Sequence, residues 1–431
     1  MKRRRLIWLL SIAAVAAALG ATTVLRYQGI LLPVRVASGS MADSLLGPHR
    51  SLECKDCGFT FCFGLDLEVP LDLATCPNCG YARNDSTRAT LHEGDRVLID
   101  RWAYAFSAPA RGDVVAFCDP TNNSELAVKR IMGLPSERIE IAHGEIFTNG
   151  TLYRKRLVEA MQVATLVYDD ANRPHQEGKL AARWASDEQE TGWRALNGGY
   201  AWTPPSPDNT RLDWLTYRHW RCYTSPTPRM EETPIADNDA YNQGLSRELH
   251  EVTDLILSCK VTTPSESEIT LMLHDGRESF TAMISTITQS VELRRGERFL
   301  TRAALAELRE PRARSTQFGI VDQQLLIAVE GKPLIRCEYT PLDKPLQPTS
   351  RPIGIAARGG ECAVTEIRVY RDIYYLNAFG GSTTWSCSAP IPAETYLVLG
   401  DNSPISRDSR HWNSPGLHRN LFVGKVLGLR R

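Results

Sequence analysis

The sequence predicts a mainly β protein carried on a single N-terminal membrane-spanning helix. Three observations predict it. Residues 6–25 carry no charge and lie between Lys2, Arg3, Arg4 and Arg5 on one side and Arg26 on the other. From Gly94 onward, short alternating apolar runs are separated by turn dipeptides. Only residues 300–308, rich in Ala, Leu and Glu, read as a helix within that part.

The N-terminal run comes first. Twenty residues at about 1.5 Å each span roughly 30 Å, the thickness of a bilayer's hydrocarbon. A cleaved leader has an apolar region of only about 7–15 residues, so this run reads as a retained anchor. The basic residues before it belong on the cytoplasmic side, which places everything after Arg26 outside. The chain has 431 residues. A single core seldom grows past about 250–300 residues, so more than one domain is expected. Acidic and basic residues balance at 50 each, which excludes nucleic-acid binding through bulk charge.

The strand signals follow in order. Residues 95–100 alternate, with Val97 and Ile99 on one face. Arg111-Gly112-Asp113 marks a turn before residues 114–117, and residues 125–132 form a further strand. Residues 139–141 and 145–147 flank His143-Gly144 as a hairpin, and Asn149-Gly150 is a second turn of the type I′ kind. From Val252 the runs 254–261, 269–273, 280–284, 325–329 and 364–370 suggest a β-sandwich.

Two groups of residues carry chemistry. Cys54-x-x-Cys57 and Cys76-x-x-Cys79 each precede a glycine, the pattern of two zinc knuckles supplying four thiolates. A site outside the cytoplasm leaves disulfides open as the competing reading. Four thiolates leave no vacant position, so a zinc ion here is structural rather than catalytic. The second group is discontinuous. Ser38-Gly39-Ser40-Met41 comes soon after the anchor. Val128-Lys129-Arg130-Ile131-Met132-Gly133-Leu134-Pro135 follows, and Gly400-Asp401-Asn402 leads into Ser406-Arg407-Asp408-Ser409-Arg410. A serine hydroxyl needs a base. No Gly-x-Ser-x-Gly elbow is present and no histidine is distinguished by context. A lysine can serve once burial removes its charge.

At these residues the chain resembles the bacterial type I signal peptidases, serine/lysine dyad proteases, over roughly residues 1–50, 87–155 and 390–431. The resemblance implies Ser40 as nucleophile and Lys129 as general base. Ser38 would donate to the oxyanion, Ser406 would orient Lys129, Asp401 would support the site, and Asp408 would pair with Arg410. Ala37, Asp43-Ser44 and Ser136-Glu137 depart from that family's usual residues. No catalytic cofactor is implied. The implied partners are signal peptides of exported precursors, the lipid bilayer and the export translocon. The implied place is the cytoplasmic membrane, with the catalytic part on the extracytoplasmic side. The expected order is a cytoplasmic tip and anchor over 1–26, then an antiparallel β core in three parts at 27–50, 87–160 and 389–431. A zinc-ribbon-like insert at 51–86 and a large β-sandwich insert at 161–388 interrupt that core. The insert is weakly similar to concanavalin- and laminin-G-type sandwiches, which admits a binding role or that of a spacer.

Overall fold

The computed structural model describes residues 29–65, 72–175, 182–206, 211–223, 229–263, 266–305, 313–376 and 383–428, with positions 8, 15, 19 and 20. Strands dominate it, as the alternating runs require. The expected membrane-spanning helix is a correction to the fold class. Among the described residues no helix is long and apolar enough to cross a membrane. Most of residues 1–26 lie outside the described residues.

The sheet that positions the site has seven strands. They are Leu31–Arg35 (β1), Arg96–Asp100 (β2), Val114–Asp119 (β3), Asn122–Gly133 (β4), Thr395–Leu399 (β5), Leu417–His418 (β6) and Phe422–Leu427 (β7). Their spatial order is β1-β2-β7-β3-β4-β5-β6. The last strand is therefore wedged between β2 and β3, pairing Lys425 with Asp100 on one side and with Val115 on the other. Val97, Ile99, Val114, Ala116 and Val426 fill the core beneath, joined by Met41 and Leu45 from the segment after β1. A smaller sheet continues the chain, pairing Ile139–Ala142 with Glu145–Thr148. The turns after it behave as the dipeptides require. His143 and Gly144 have φ of 52° and 86°, and Asn149 and Gly150 have 53° and 79°.

The part between these segments forms two further sheets of eight and seven strands. Their inner faces share one apolar core that includes Trp202, Tyr217, Leu257, Leu271, Phe318 and Ile355. The helix expected over 300–308 is a correction where the chain is described: Arg298–Ala304 is a strand paired to Ser290–Arg295, and positions 306–308 lie outside the described residues. Its backbone completes a sheet while Leu300 and Ala303 pack on the sandwich core. That tertiary gain outweighs the few tenths of a kcal/mol per residue by which Ala, Leu and Glu favour helix.

Lys155, just past the small sheet, joins the two parts. Its ammonium lies 2.6 Å from Asp322 and 2.9 Å from Asp372, both fully buried. Its backbone N–H donates to Asp322 and its carbonyl accepts from Gln324.

Candidate active site

The chain leaves β1 through Val36 and enters a tight loop at Ser38. The loop is held from below. Val36 N–H donates to the Asp95 carbonyl, Asp95 N–H to the Leu46 carbonyl, and Leu46 N–H to the Asp95 carboxylate at 2.8 Å. Gly94 precedes this clasp with φ +110°, and a Cβ there would meet the Val36 carbonyl oxygen at 2.1 Å. The residue must therefore be glycine. Met41 and Leu45 are buried in the core below, which fixes the loop's depth.

Lys129 reaches this loop from β4. Its Nζ donates to Ser40 Oγ at 2.5 Å, although the two residues are 89 positions apart. The lysine is 5% exposed. Burial pushes its ammonium down to about 8, and the carboxylates of Asp408, Asp401 and Asp119 only partly oppose the shift. Ser38 Oγ lies 3.3 Å from Ser40 Oγ.

The Gly400–Arg410 segment closes the far side. Asn402 N–H donates to the Ser40 carbonyl at 3.1 Å, and Asn402 Nδ2 donates to the Gly39 carbonyl at 3.0 Å. A Cβ on Gly400 would come within 2.4 Å of the Ser40 carbonyl oxygen and 2.2 Å of Ser406 Oγ, so only glycine fits. Asp408 accepts from Gly400 N–H at 3.0 Å and from Arg410 at 2.9 Å. Burial would raise the Asp408 carboxyl, but His411, Arg410 and Gly400 N–H together hold it below the usual carboxylate range. Arg410 also donates to Ser403 Oγ at 2.8 Å.

Ser38, Ser40, Lys129, Asp401, Ser406, Asp408 and Arg410 are thus brought to one place, with one difference in bonding. Ser406 does not bond Lys129. Its Oγ is buried without a partner among the described residues, packed against Gly400. Asp401 has a definite role that the sequence did not reveal. It accepts from Arg130 Nε at 2.8 Å and from the Arg130 terminal nitrogen at 2.6 Å. Both side chains are 2% exposed, so this is a fully buried bidentate pair. Arg130 was in view as Lys129's neighbour, but its partner is 271 positions away. Asn402 likewise went unassigned.

The four cysteines sit beside this site. Cys54 and Cys79 Sγ are 3.6 Å apart, and Cys57 and Cys76 Sγ are 3.7 Å apart. All four Sγ atoms lie within 4.8 Å of one another. A disulfide needs about 2.05 Å. Tetrahedral zinc–thiolate bonds of about 2.3 Å place sulfurs about 3.8 Å apart, so the donor set fits that ion. The two knuckles are alike. Gly58 N–H donates to the Cys54 carbonyl and Gly80 N–H to the Cys76 carbonyl, each at 2.9 Å, with φ of +71° and +82°.

Residues 79–191 match the family described as signal peptidase, peptidase S26. Part of the chain is similar to proteins named signal peptidase I. It is 27% identical over 106 residues to a signal peptidase I of Leptolyngbya laminosa, covering 22% of this chain and 52% of that one. It is 30% identical over 86 residues to a probable signal peptidase I-2 of Synechocystis sp., covering 19% and 39%. The chain thus spans about half, or less, of the length of these curated relatives. Among solved structures, a Bacillus subtilis protein of unknown function with a galectin-like fold aligns at TM-score 0.31 and 8% identity, over 49% of this chain and 99% of its own. The carbohydrate-binding module CBM66 from Bacillus subtilis aligns at TM-score 0.24 and 7% identity, over 44% and 94%.

Proposed function

We propose that this chain is a serine endopeptidase of the signal peptidase I type, removing N-terminal signal peptides from exported precursors. The observation that carries the reading is the 2.5 Å contact of a buried, pKa-lowered Lys129 with Ser40 Oγ. In its neutral form Lys129 accepts the Ser40 hydroxyl proton as Oγ attacks the scissile carbonyl carbon. The oxyanion that forms accepts from Ser40 N–H and the Ser38 hydroxyl. Collapse breaks the C–N bond, and the Lys129 ammonium returns the proton to the leaving amine. A water then gives its proton to Lys129 and attacks the Ser40 ester; the acyl C–Oγ bond breaks, Ser40 Oγ takes the proton back from Lys129, and the acid leaves. Asp401 and Arg130, with Asp408 and Arg410, hold the segments that carry these groups and move no proton.

Substrate class follows from the same surroundings. β1 is an edge strand that leads straight to Ser38, so an extended peptide can add to it as a further strand. Small side chains at the first and third positions before the cut suit such an approach. Leu31, Pro33, Leu98 and Leu427 share one face by register, and the three leucines are exposed. That apolar face is proposed to meet the bilayer from which the signal peptide is drawn, on the extracytoplasmic side. Cys54, Cys57, Cys76 and Cys79 are proposed to hold one structural zinc ion.

The test is cleavage of a synthetic precursor with an Ala-x-Ala site, in detergent. Wild type should cut after the second Ala, and Ser40→Ala and Lys129→Ala should each be inactive. An inert wild type, or full activity in either variant, removes the assignment.

A further inference from the structure

The inserted unit sends one strap back to the nucleophile loop. Residues 235–252 leave the sandwich and return to it, closed at the base by the Val252 N–H to Ile235 carbonyl bond and by Asp237 N–H to the His250 carbonyl. Arg371 of the sandwich donates to the Asp237 carbonyl at 2.9 Å and pins the strap from outside, while Arg247 within the strap donates to the same carbonyl at 2.7 Å. Its tip is Tyr241-Asn242-Gln243. Tyr241 is 1% exposed and packs against two glycines. A Cβ on Gly39 or on Gly64 would meet its ring at 2.3 or 2.4 Å. Gln243 accepts from Thr75 N–H of the cysteine module at 2.8 Å.

Asn242 makes the decisive contact. Its Nδ2 donates to Asn402 Oδ1 at 2.6 Å, and its Oδ1 accepts from Asn402 Nδ2 at 3.1 Å. That reciprocal pair fixes the Asn402 side-chain amide, whose Nδ2 also holds the Gly39 carbonyl, while the Asn402 backbone N–H separately holds the Ser40 carbonyl. Asn242 is itself fixed, donating to Asp239 at 2.9 and 2.8 Å through Nδ2 and N–H. The peptide plane between Gly39 and Ser40 is therefore oriented by a residue of the insert. We propose that Asn242 is a positioning residue for the nucleophile loop, acting through Asn402, so that the insert completes the active site. This rests on Ser40 and Lys129 being the reacting pair.

The experiment uses the full chain carrying Asn242→Ala, Asn402→Ala or both, with kcat and KM on the precursor and hydrogen exchange of the Gly39 and Ser40 amides. Asn242→Ala should lower kcat about tenfold to a hundredfold, as small displacements of a reacting group do, with KM within about twofold. The alkaline rise of the pH–rate profile should not move, because Lys129 is untouched. Gly39 and Ser40 amides should exchange faster, and Asn242→Ala should add no loss when Asn402 is already Ala. Asn242→Asp keeps the acceptor, nearly the same shape, and loses the Nδ2 donor, so it should lower kcat too if Asn242→Ala fails to fold. Wild-type kcat and exchange in a folded variant, or independent losses in the double variant, overturn the proposal. The exchange readout stands even if Ser40→Ala keeps activity, an outcome that would sink the serine/lysine reading alone.

Discussion

At Lys129, burial prepares a lysine for the proposed role of base. An exposed lysine at neutral pH is protonated almost entirely and cannot take a proton from serine. Lowered to about 8, Lys129 is neutral in a useful fraction of molecules. Activity should therefore rise as pH increases through about 8 and fall on the acid side, and a pH profile of kcat/KM checks it. An acid-shifted optimum is the outcome that excludes a lysine base. The same shift has a stability consequence. The unfolded chain holds the proton up to 10.5 while the folded chain releases it at about 8. Lys129 thus opposes folding fully below about 8, by about 3 kcal/mol, and not at all above the unfolded value. Lys129→Met should raise the melting temperature at pH 7, with the advantage shrinking as pH climbs past 8. The bonding of Ser406, the pairing of Arg130 and the role of Asn402 were not legible at this scale. Each depends on what the fold sets opposite a side chain, and Asp401 lies 271 positions from Arg130.

At the scale of elements, the sequence was most informative where local chemistry alone decides. Asn149-Gly150 needs no tertiary partner to favour its turn, and the two Cys-x-x-Cys-Gly knuckles set their own backbone. The alternation over 95–100, 269–273 and 364–370 marked strands whose inner faces are indeed buried. Residues 300–308 failed for the complementary reason, since a propensity read locally yields to a sheet with a vacant edge. The cysteine module carries its own test. Its four sulfurs converge, with Cys76 and Cys79 both at most 1% exposed. Native mass spectrometry of purified protein should show one zinc per chain. A chelator or Cys76→Ser should loosen the 49–92 strands, read as faster amide exchange there. Disulfide-linked peptides joining Cys54 to Cys79 in the native protein would contradict zinc.

At the scale of the molecule, the parts are coupled by charge as well as by packing. Lys155 comes from the chain just past the small sheet, whereas Asp322 and Asp372 come from the sandwich side. Burial lifts the Asp372 carboxyl to about 6 despite Lys155 beside it. Lys155→Met leaves two buried carboxylates with no cation, and breaking such a pair costs about 3–5 kcal/mol. Its unfolding free energy should fall by that amount at neutral pH and recover part of it on acidification, starting above 6 because Lys155 no longer holds the Asp372 carboxyl down. An unfolding free energy unchanged at pH 7 would show that the ammonium does not hold the junction. The balance of chain-wide charge excluded one function class, but it could not locate this junction, because an equal count says nothing of where charges meet.

The place of β7 in the seven-stranded sheet also bears on synthesis. The half of the sheet that leads to Ser40 and the half that bears Lys129 are separated by the strand the ribosome delivers after every other strand of the sheet. Until Phe422–Leu427 emerges, no strand pairs the two halves edge to edge, and the Ser40 loop meets the Lys129 half only through loop contacts such as those of Asn402. On the proposed function, order of birth delays assembly of the reacting pair until the sandwich is made and the wedge drops in.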